Sequence, residues 1–160
     1  MDLSKQSQDQ PQDQVELRPP QEIIPHRPPF LFLDHIVCCE EWRVIGRYRF
    51  SSADPMFSGH FPQRPLVPGV ILIEGAAQTL AYWALRQRPE HWVLLTGVDR
   101  AKWTSAVAPE QDLEYQVEIT RAKMGLVIAQ AKVLCEGQVA MTAQIKGYLQ
   151  ARQEDDKPHK

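Results

Sequence analysis

The chain has 160 residues, of which 43% are hydrophobic and 24% charged, and this composition predicts one soluble globular domain. A formal net charge of -2, with basic residues scattered along the sequence, argues against a nucleic-acid-binding protein. No apolar run reaches the roughly 18 residues that a membrane span requires, and no signal-peptide pattern is present, so a cytoplasmic location is expected. The three cysteines have neither metal-site nor disulphide-framework spacing.

Both ends of the chain are polar. Residues 1–21 consist mainly of Gln, Asp, Ser and Pro, and the last ten residues are mostly charged or polar. Such segments bury too little apolar surface to offset the entropy lost on ordering. We therefore predict a disordered tail over residues 1–21, one domain over 22–149 and a mobile tail over 150–160.

Two strands are predicted in the first third of the domain. Residues 30–39 form a mostly apolar run, and residues 42–50 alternate apolar side chains with arginines, which is typical of a strand with one face in water. Residues 51–68 contain four prolines and are predicted to form an irregular loop. This loop carries His60.

A long helix is predicted over residues 70–85, which are free of proline and apolar on nearly every face, as in a buried helix. Basic residues and Pro89 then mark its end. Four strand-like segments follow at 92–103, 112–123, 126–136 and 138–149, with tight-turn signals between the last three. The order of elements predicts an α+β fold in which an antiparallel sheet wraps around one central helix.

Glu74 is a carboxylate in the most apolar stretch of the chain. Burying an ionised side chain costs several kcal/mol unless it is paired or hydrogen-bonded. Favourable interaction with the helix dipole, worth about 0.3 to 1 kcal/mol, does not compensate that cost. His60 precedes it by fourteen residues, and a histidine with a carboxylate can form an acid/base pair, although a histidine in such a loop can also simply cap a turn.

Two further polar residues accompany this pair. Gln78 lies one helical turn beyond Glu74, where it can hydrogen-bond the carboxylate or satisfy a buried backbone group, and both interpretations stay open. His26 lies between prolines, where an extended backbone favours a structural role over chemistry.

Four segments carry a likeness to a known family. They are Pro-His-Arg-Pro-Pro-Phe-Leu-Phe-Leu-Asp at 25–34, Gly-His-Phe-Pro at 59–62, Pro-x-x-Pro-Gly-Val at 65–70 with Glu74 and Gln78 after it, and Gly-Val-Asp-Arg-Ala-Lys-Trp at 97–103. Over residues 24–149 the chain resembles the FabZ-type (3R)-hydroxyacyl-acyl carrier protein dehydratases.

The resemblance implies a hot-dog fold, in which a curved antiparallel sheet wraps a central helix and two protomers pair. It implies that His60 and Glu74 are catalytic and that each active site takes them from different protomers, in homodimers or in hexamers built from three dimers. The partner would be an acyl carrier protein bearing the substrate, with no metal and no organic cofactor.

For the reaction, we assign His60 as the base at the α-carbon and Glu74 as the group that helps the 3-hydroxyl leave as water; the reversed assignment stays open. Gly69, at the start of the helix, is expected to offer a backbone N–H to the thioester oxygen. The other residues expected to contact substrate are Phe61, Val70 and Gln78.

The remaining substrate and partner contacts are expected from side-chain character. Phe32, Leu33 and Phe61, with the apolar helix face, are expected to line an acyl tunnel. Basic residues near its mouth would serve an acidic carrier protein, the candidates being Arg100, Lys102, Arg121 and Lys123.

Two other functions are weighed against dehydration: a hot-dog thioesterase and a non-catalytic acyl-thioester-binding module. The presence of both His60 and Glu74 favours the dehydratase. Glutamate rather than aspartate at position 74 is more similar to the simple dehydratases than to the dehydratase/isomerases. Departures from the family pattern at Pro28, at Gln63-Arg64 and at residues 109–112 leave open a fatty-acid, polyketide or polyene pathway.

Overall fold

The computed structural model describes residues 17–153. The predicted tails therefore lie largely outside the described residues, which exclude 1–16 and 154–160. Within the described part, the Tyr82 hydroxyl donates a hydrogen bond of 2.8 Å to the carbonyl of Arg18, and the last strand continues to Ala151. The domain boundaries at 22 and 149 stay a prediction.

Three helices are present in the described residues: α1 Pro20–Ile23, α2 Met56–Gly59 and α3 Gly69–Gln87. The predicted long helix is α3, which starts one residue earlier and ends two residues later than expected. It stops where the chain reaches Arg88 and Pro89, because proline cannot continue a helix. The loop predicted at 51–68 contains α2, a single turn too short to show a helical period in the sequence.

Six strands form one sheet. Their bounds are β1 His35–Cys39, β2 Arg43–Arg49, β3 His91–Trp103, β4 Asp112–Lys123, β5 Leu126–Cys135 and β6 Gln138–Ala151. The spatial order is β1-β2-β4-β5-β6-β3, and every neighbouring pair is antiparallel. Helix α3 packs against β2 through β6, which confirms the predicted α+β architecture.

The strand predicted over residues 30–39 is wrong in its first half, because β1 begins only at His35. Leu31, Phe32 and Leu33 are buried in the core, but they lie in a segment without strand pairing. The backbone N–H of Phe32 bonds to the side chain of Gln78 instead of to a neighbouring strand. An apolar run indicates burial, and burial does not require pairing in a sheet.

The burial of α3 changes along its length. Leu72, Tyr82 and Trp83 are among its core residues, and every residue from Gln78 to Leu85 is buried. At the start of the helix, by contrast, the side chain of Val70 is 66% exposed. The helix is thus apolar on nearly every face but not buried on every face, and its first turns present an uncovered apolar surface.

Strand β3 lies at one edge of the described sheet and pairs only with β6. Leu94 and Leu95 on this strand are each 45% exposed. Large exposed apolar side chains on an unpaired edge are typical of a surface that another chain covers.

No helix within residues 17–153 has the length and apolar character needed to cross a membrane.

Candidate active site

His60 follows α2 directly. Its backbone N–H bonds to the carbonyl of Met56 at 2.9 Å, which ends the helical turn, and its Nδ1 lies 2.9 Å from the carbonyl oxygen of Leu66. A carbonyl oxygen can only accept, so Nδ1 carries the proton in this contact. The neutral ring therefore keeps an unprotonated Nε2, which is free to accept a proton.

A cavity of about 430 Å³ joins His60 to the start of α3. Gly69, Leu72 and Trp103 line it, and the indole Nε1 of Trp103 donates a hydrogen bond of 3.0 Å to the carbonyl of Gly69. A β-carbon at position 69 would come within 2.7 Å of that indole nitrogen, so the close approach requires glycine. No side chain caps α3. The N–H of Ile71 bonds to the Pro68 carbonyl at 2.9 Å, whereas the N–H of Gly69 has no hydrogen bond within residues 17–153 and is available to a ligand oxygen.

Glu74 lies further along α3 and is 23% exposed. Its Oε1 accepts a hydrogen bond of 3.0 Å from Nε2 of Gln78 and lies 3.6 Å from Nε2 of His26. Within residues 17–153, no hydrogen bond or ion pair reaches its other oxygen, Oε2. Both contacts thus converge on one oxygen of the carboxyl group.

Gln78 is buried, and its side-chain amide hydrogen-bonds both to backbone groups and to a carboxylate. Its Oε1 accepts from the backbone N–H of Phe32 at 2.8 Å, while its Nε2 donates to the carbonyl of Phe30 at 3.2 Å as well as to Glu74. The sequence left two interpretations open, a bond to the carboxylate and a bond to buried backbone. Both are correct. One amide group ties the segment before β1 to the carboxylate on α3.

His26 reaches the site from the proline-rich segment near the start of the chain, although the sequence favoured a purely structural role for it. Burial lowers the pKa of its imidazole, and this effect is larger than the opposing influence of the Glu74 carboxylate; the neighbouring Arg27 lowers it further. The sequence missed this contact because His26 and Glu74 come together only through tertiary packing.

His60 and Glu74 do not meet in a single chain. Within the described residues, no hydrogen bond or ion pair joins them: His60 bonds to Leu66, and Glu74 contacts Gln78 and His26. Of the other expected substrate contacts, Phe61 is 59% exposed with its ring centroid 4.2 Å from that of His60, and Val70 is exposed beside Gly69.

The side chains expected to line an acyl tunnel are dispersed. Phe32 borders a cavity of about 270 Å³ together with Phe30, Tyr48 and Ile71. Leu33 instead packs in the core, close to Gly46. Phe61 borders a separate surface depression with Pro62 and Leu66.

The four basic residues expected to serve an acyl carrier protein divide between the two ends of α3. Arg100 and Lys102 lie three residues and one residue before Trp103, which contacts the first residue of the helix. Lys123 borders a cavity with Arg88 at the last turn of the helix, and Arg121 is two residues from it on β4.

Within residues 17–153, no group of three or more His, Cys, Asp or Glu side chains is arranged to hold a metal ion.

Comparison with known proteins places the chain in a family. A family model described as a FabA-like domain matches residues 24–144. The chain is 35% identical over 136 residues to the 3-hydroxyacyl-[acyl-carrier-protein] dehydratase FabZ of Campylobacter lari, covering 81% of this chain and 93% of that protein. It is 39% identical over 127 residues to the FabZ dehydratase of Chloroflexus aggregans, covering 77% and 88% respectively.

The solved structures agree on the fold. The dehydratase heterocomplex ApeI:P from Xenorhabdus doucetiae matches with a TM-score of 0.72 and 19% identity, over 88% of this chain and 95% of that chain. The likeness in fold, the family model and the identity to curated relatives over most of their length point the same way. The chain belongs to the FabA-like family and, within it, to the FabZ-type 3-hydroxyacyl-[acyl-carrier-protein] dehydratases.

Proposed function

We propose that this protein is a hydro-lyase that removes water from (3R)-hydroxyacyl thioesters on acyl carrier protein and releases trans-2-enoyl thioesters. The dehydratase activity that its curated relatives carry in their names supports this function. The observation that carries the proposal in this chain is the bond between His60 Nδ1 and the Leu66 carbonyl. It leaves Nε2 as a base at the cavity beside the start of α3.

His60 removes a proton from the carbon next to the thioester carbonyl. Its Nε2 accepts that proton, and the Leu66 carbonyl stabilises the imidazolium that results because Nδ1–H already points at it. This assignment makes His60 the base and leaves Glu74 as the acid.

Glu74 then acts on the 3-hydroxyl group. Its Oε2, which has no hydrogen bond within the described chain, binds the hydroxyl and delivers a proton to it. The carbon–oxygen bond breaks, water leaves, and the electrons of the broken C–H bond form the new carbon–carbon double bond. Transfer of the proton from His60 back to Glu74 completes the cycle.

Negative charge develops on the thioester oxygen when the proton leaves. The free N–H of Gly69 and the positive end of the α3 dipole stabilise that charge. The absence of a β-carbon at Gly69 lets the thioester approach the backbone between the helix and Trp103. Phe61, whose ring centroid is 4.2 Å from that of His60, and Val70, which follows Gly69 in the chain, are both exposed and flank the bound substrate.

A complete site requires a second protomer in this proposal, because no hydrogen bond or ion pair joins His60 and Glu74 within residues 17–153 of one chain. Pairing of two β3 edges would cover Leu94 and Leu95, and the exposed start of α3 offers further apolar surface. His60 of one protomer would then face Glu74 of its partner. The dimer is the minimal active unit, and assembly of dimers into hexamers stays a prediction.

The acyl chain of the substrate is proposed to enter the cavity bordered by Phe30, Phe32 and Ile71. Gln78 links this cavity to the acid, because it bonds to the Phe30 carbonyl and to Glu74. We also propose a cytoplasmic location, with which the three free thiols of the described chain agree.

The test is an assay with the purified protein and 3-hydroxybutyryl acyl carrier protein. Enoyl formation is followed by its ultraviolet absorbance, and thioester cleavage is followed in the same sample with a thiol reagent. We expect enoyl absorbance to rise without release of free thiol, and crotonyl acyl carrier protein to be hydrated in the reverse direction.

Other outcomes would identify the competing functions. Thiol release without enoyl product would show a thioesterase. Neither signal, together with measurable binding of the acyl carrier protein, would show a non-catalytic module. A free pantetheine thioester of the same acyl group serves as a matched substrate, and a lower rate with it would show that the carrier protein itself is recognised.

A further inference from the structure

His26 contacts the proposed acid from an element distant in sequence. Its Nε2 is 3.6 Å from Oε1 of Glu74, and the two side chains are only 27% and 23% exposed. The other ring nitrogen, Nδ1, is buried and has no hydrogen-bond partner among the described residues. A ring that leaves one nitrogen unsatisfied while the other meets a carboxylate is oriented by that carboxylate.

The segment that carries His26 is held by its own hydrogen bonds. The Arg27 guanidinium donates through Nη1 to the carbonyls of Ile24 and His26, at 2.9 Å and 2.7 Å. The backbone N–H of Phe30 closes a turn on the carbonyl of Arg27 at 2.8 Å. Three prolines in residues 25–29 restrict the backbone further, so the backbone that carries the imidazole is restrained without help from a ligand.

The charge state of the ring follows from its surroundings. Burial lowers the pKa of His26. Two charged groups also act on the ring: Glu74 raises its pKa, and Arg27 lowers it. His26 is therefore neutral at neutral pH and carries one N–H. A proton on Nε2 faces a carboxylate oxygen, whereas an unprotonated Nε2 would set a lone pair against it, so the Nε2–H tautomer is favoured.

We propose that His26 is a positioning residue of the site, whose Nε2–H holds Oε1 of Glu74 so that Oε2 faces the reacting 3-hydroxyl group. The inference rests on the proposed function, in which Glu74 handles that hydroxyl. Gln78 approaches the same Oε1 from α3, so two donors from different elements fix one oxygen and leave the other for chemistry. A contact of 3.6 Å in the free protein shortens to a hydrogen bond when substrate binds, as catalytic contacts commonly do.

The test compares two substitutions at the same position. His26→Leu removes the donor and keeps an apolar side chain of similar bulk, whereas His26→Gln keeps an N–H at nearly the same reach. We expect His26→Leu to lower kcat roughly tenfold to a hundredfold, as for loss of a hydrogen bond to a group that becomes charged when it delivers its proton, with KM nearly unchanged. His26→Gln should recover most of that loss.

His91 supplies the matched control. It also has a buried Nδ1 without a partner among the described residues, but it lies past the end of α3, in the cavity with Arg88 and Lys123. His91→Leu should leave kcat at its wild-type value. Circular dichroism and thermal unfolding of all three variants separate a catalytic loss from a folding defect.

A double-mutant cycle tests whether His26 acts through Glu74. Glu74→Asp withdraws the carboxylate by one methylene, and His26→Leu in that background should cost less than about a threefold further loss. Independent, multiplicative losses would overturn the inference. So would a wild-type kcat for folded His26→Leu, or a folded His26→Gln as slow as His26→Leu. Wild-type turnover of Glu74→Gln would instead overturn the proposed function itself.

Discussion

Tyr115 of β4 fills the space that a β-carbon of Gly75 would occupy. Its ring lies against the backbone of α3 at the centre of the molecule, and both residues are buried. Because there is no side chain at position 75, the helix can approach the sheet closely one residue after Glu74. The height of α3 above the sheet, and with it the position of the carboxylate, depends on this contact.

Gly75→Ala should therefore destabilise the protein. The added methyl group overlaps the ring carbons and hydroxyl of Tyr115, and overpacking of a filled core typically costs about 1 to 3 kcal/mol. Thermal unfolding should show a lower Tm. Gly59→Ala is the control, because a β-carbon there meets nothing within 4 Å. Equal Tm values for the two variants would contradict the packing described here.

Gln78→Leu should lower both stability and turnover. The buried N–H of Phe32 and the partly buried carbonyl of Phe30 lose their partner, and leaving the buried N–H unsatisfied costs about 1 to 3 kcal/mol. Turnover falls as well, because Glu74 loses its shortest hydrogen bond. Denaturant titration and steady-state kinetics measure the two effects.

Gln87→Leu is the matched control for Gln78→Leu. It makes the same chemical change near the end of the same helix, where the residue is exposed. Within residues 17–153 its side chain makes one hydrogen bond, to the Trp83 carbonyl, and this bond is 3.5 Å long. It should change the free energy of unfolding by less than about 0.5 kcal/mol. A comparable loss in both variants would show that the buried bonds of Gln78 are not the cause.

His60→Ala and Glu74→Gln should each reduce turnover by about a hundredfold to ten-thousandfold while the protein stays folded, since positioned acid/base groups contribute that much. Mixing the two variants tests the shared site. A mixed dimer has one site with both changes and one intact site, so random exchange of subunits should restore about one quarter of wild-type turnover. No recovery, with exchange verified by differently tagged protomers, would place both groups of a site in one chain.

The protein should lose stability at high pH. The pKa of Tyr48 is raised to about 12, mainly by burial. Burial also raises the pKa of Tyr115, which is fully buried. An unfolded tyrosine ionises near pH 10, so above that pH the unfolded chain loses protons that the folded chain keeps. The free energy of unfolding should therefore fall as pH rises from about 10 to 12.

Phenylalanine variants test this assignment. Tyr48→Phe and Tyr115→Phe should each flatten the alkaline decline in denaturant titrations at several pH values. Tyr115→Phe should also leave stability at pH 7 unchanged or raised, because the Tyr115 hydroxyl is buried without a partner among the described residues.

The sequence predicted the fold well where one physical pattern decides the structure. Burial alternates along β4 and β5 because successive side chains of a strand point to opposite faces. Both strands start at the residue at which the sequence predicted them to start. Pro89 marked the end of α3 to within two residues. The pattern failed at Leu31-Phe32-Leu33, where side chains of an unpaired segment are buried in the core and the backbone N–H of Phe32 bonds to Gln78.

The candidate site could be predicted only in part, for a related reason. His60, Gly69 and Glu74 lie within sixteen residues in recognisable motifs. The partners of Glu74 depend on how distant segments pack: His26 is 48 residues away, and the bonds of Gln78 to Phe30 and Phe32 exist only because that segment is not a strand. No local period in the sequence encodes such contacts.

The exposed edge of β3 affects the solubility of the protein, both during purification and in the cell. An open strand edge with Leu94 and Leu95 at its surface is a template on which other polypeptides can add, so a protomer without a partner is prone to aggregate. Dilution would then reduce activity and solubility together. Substitutions that weaken assembly would first be noticed as poor yield of protein, before any defect in chemistry could be measured.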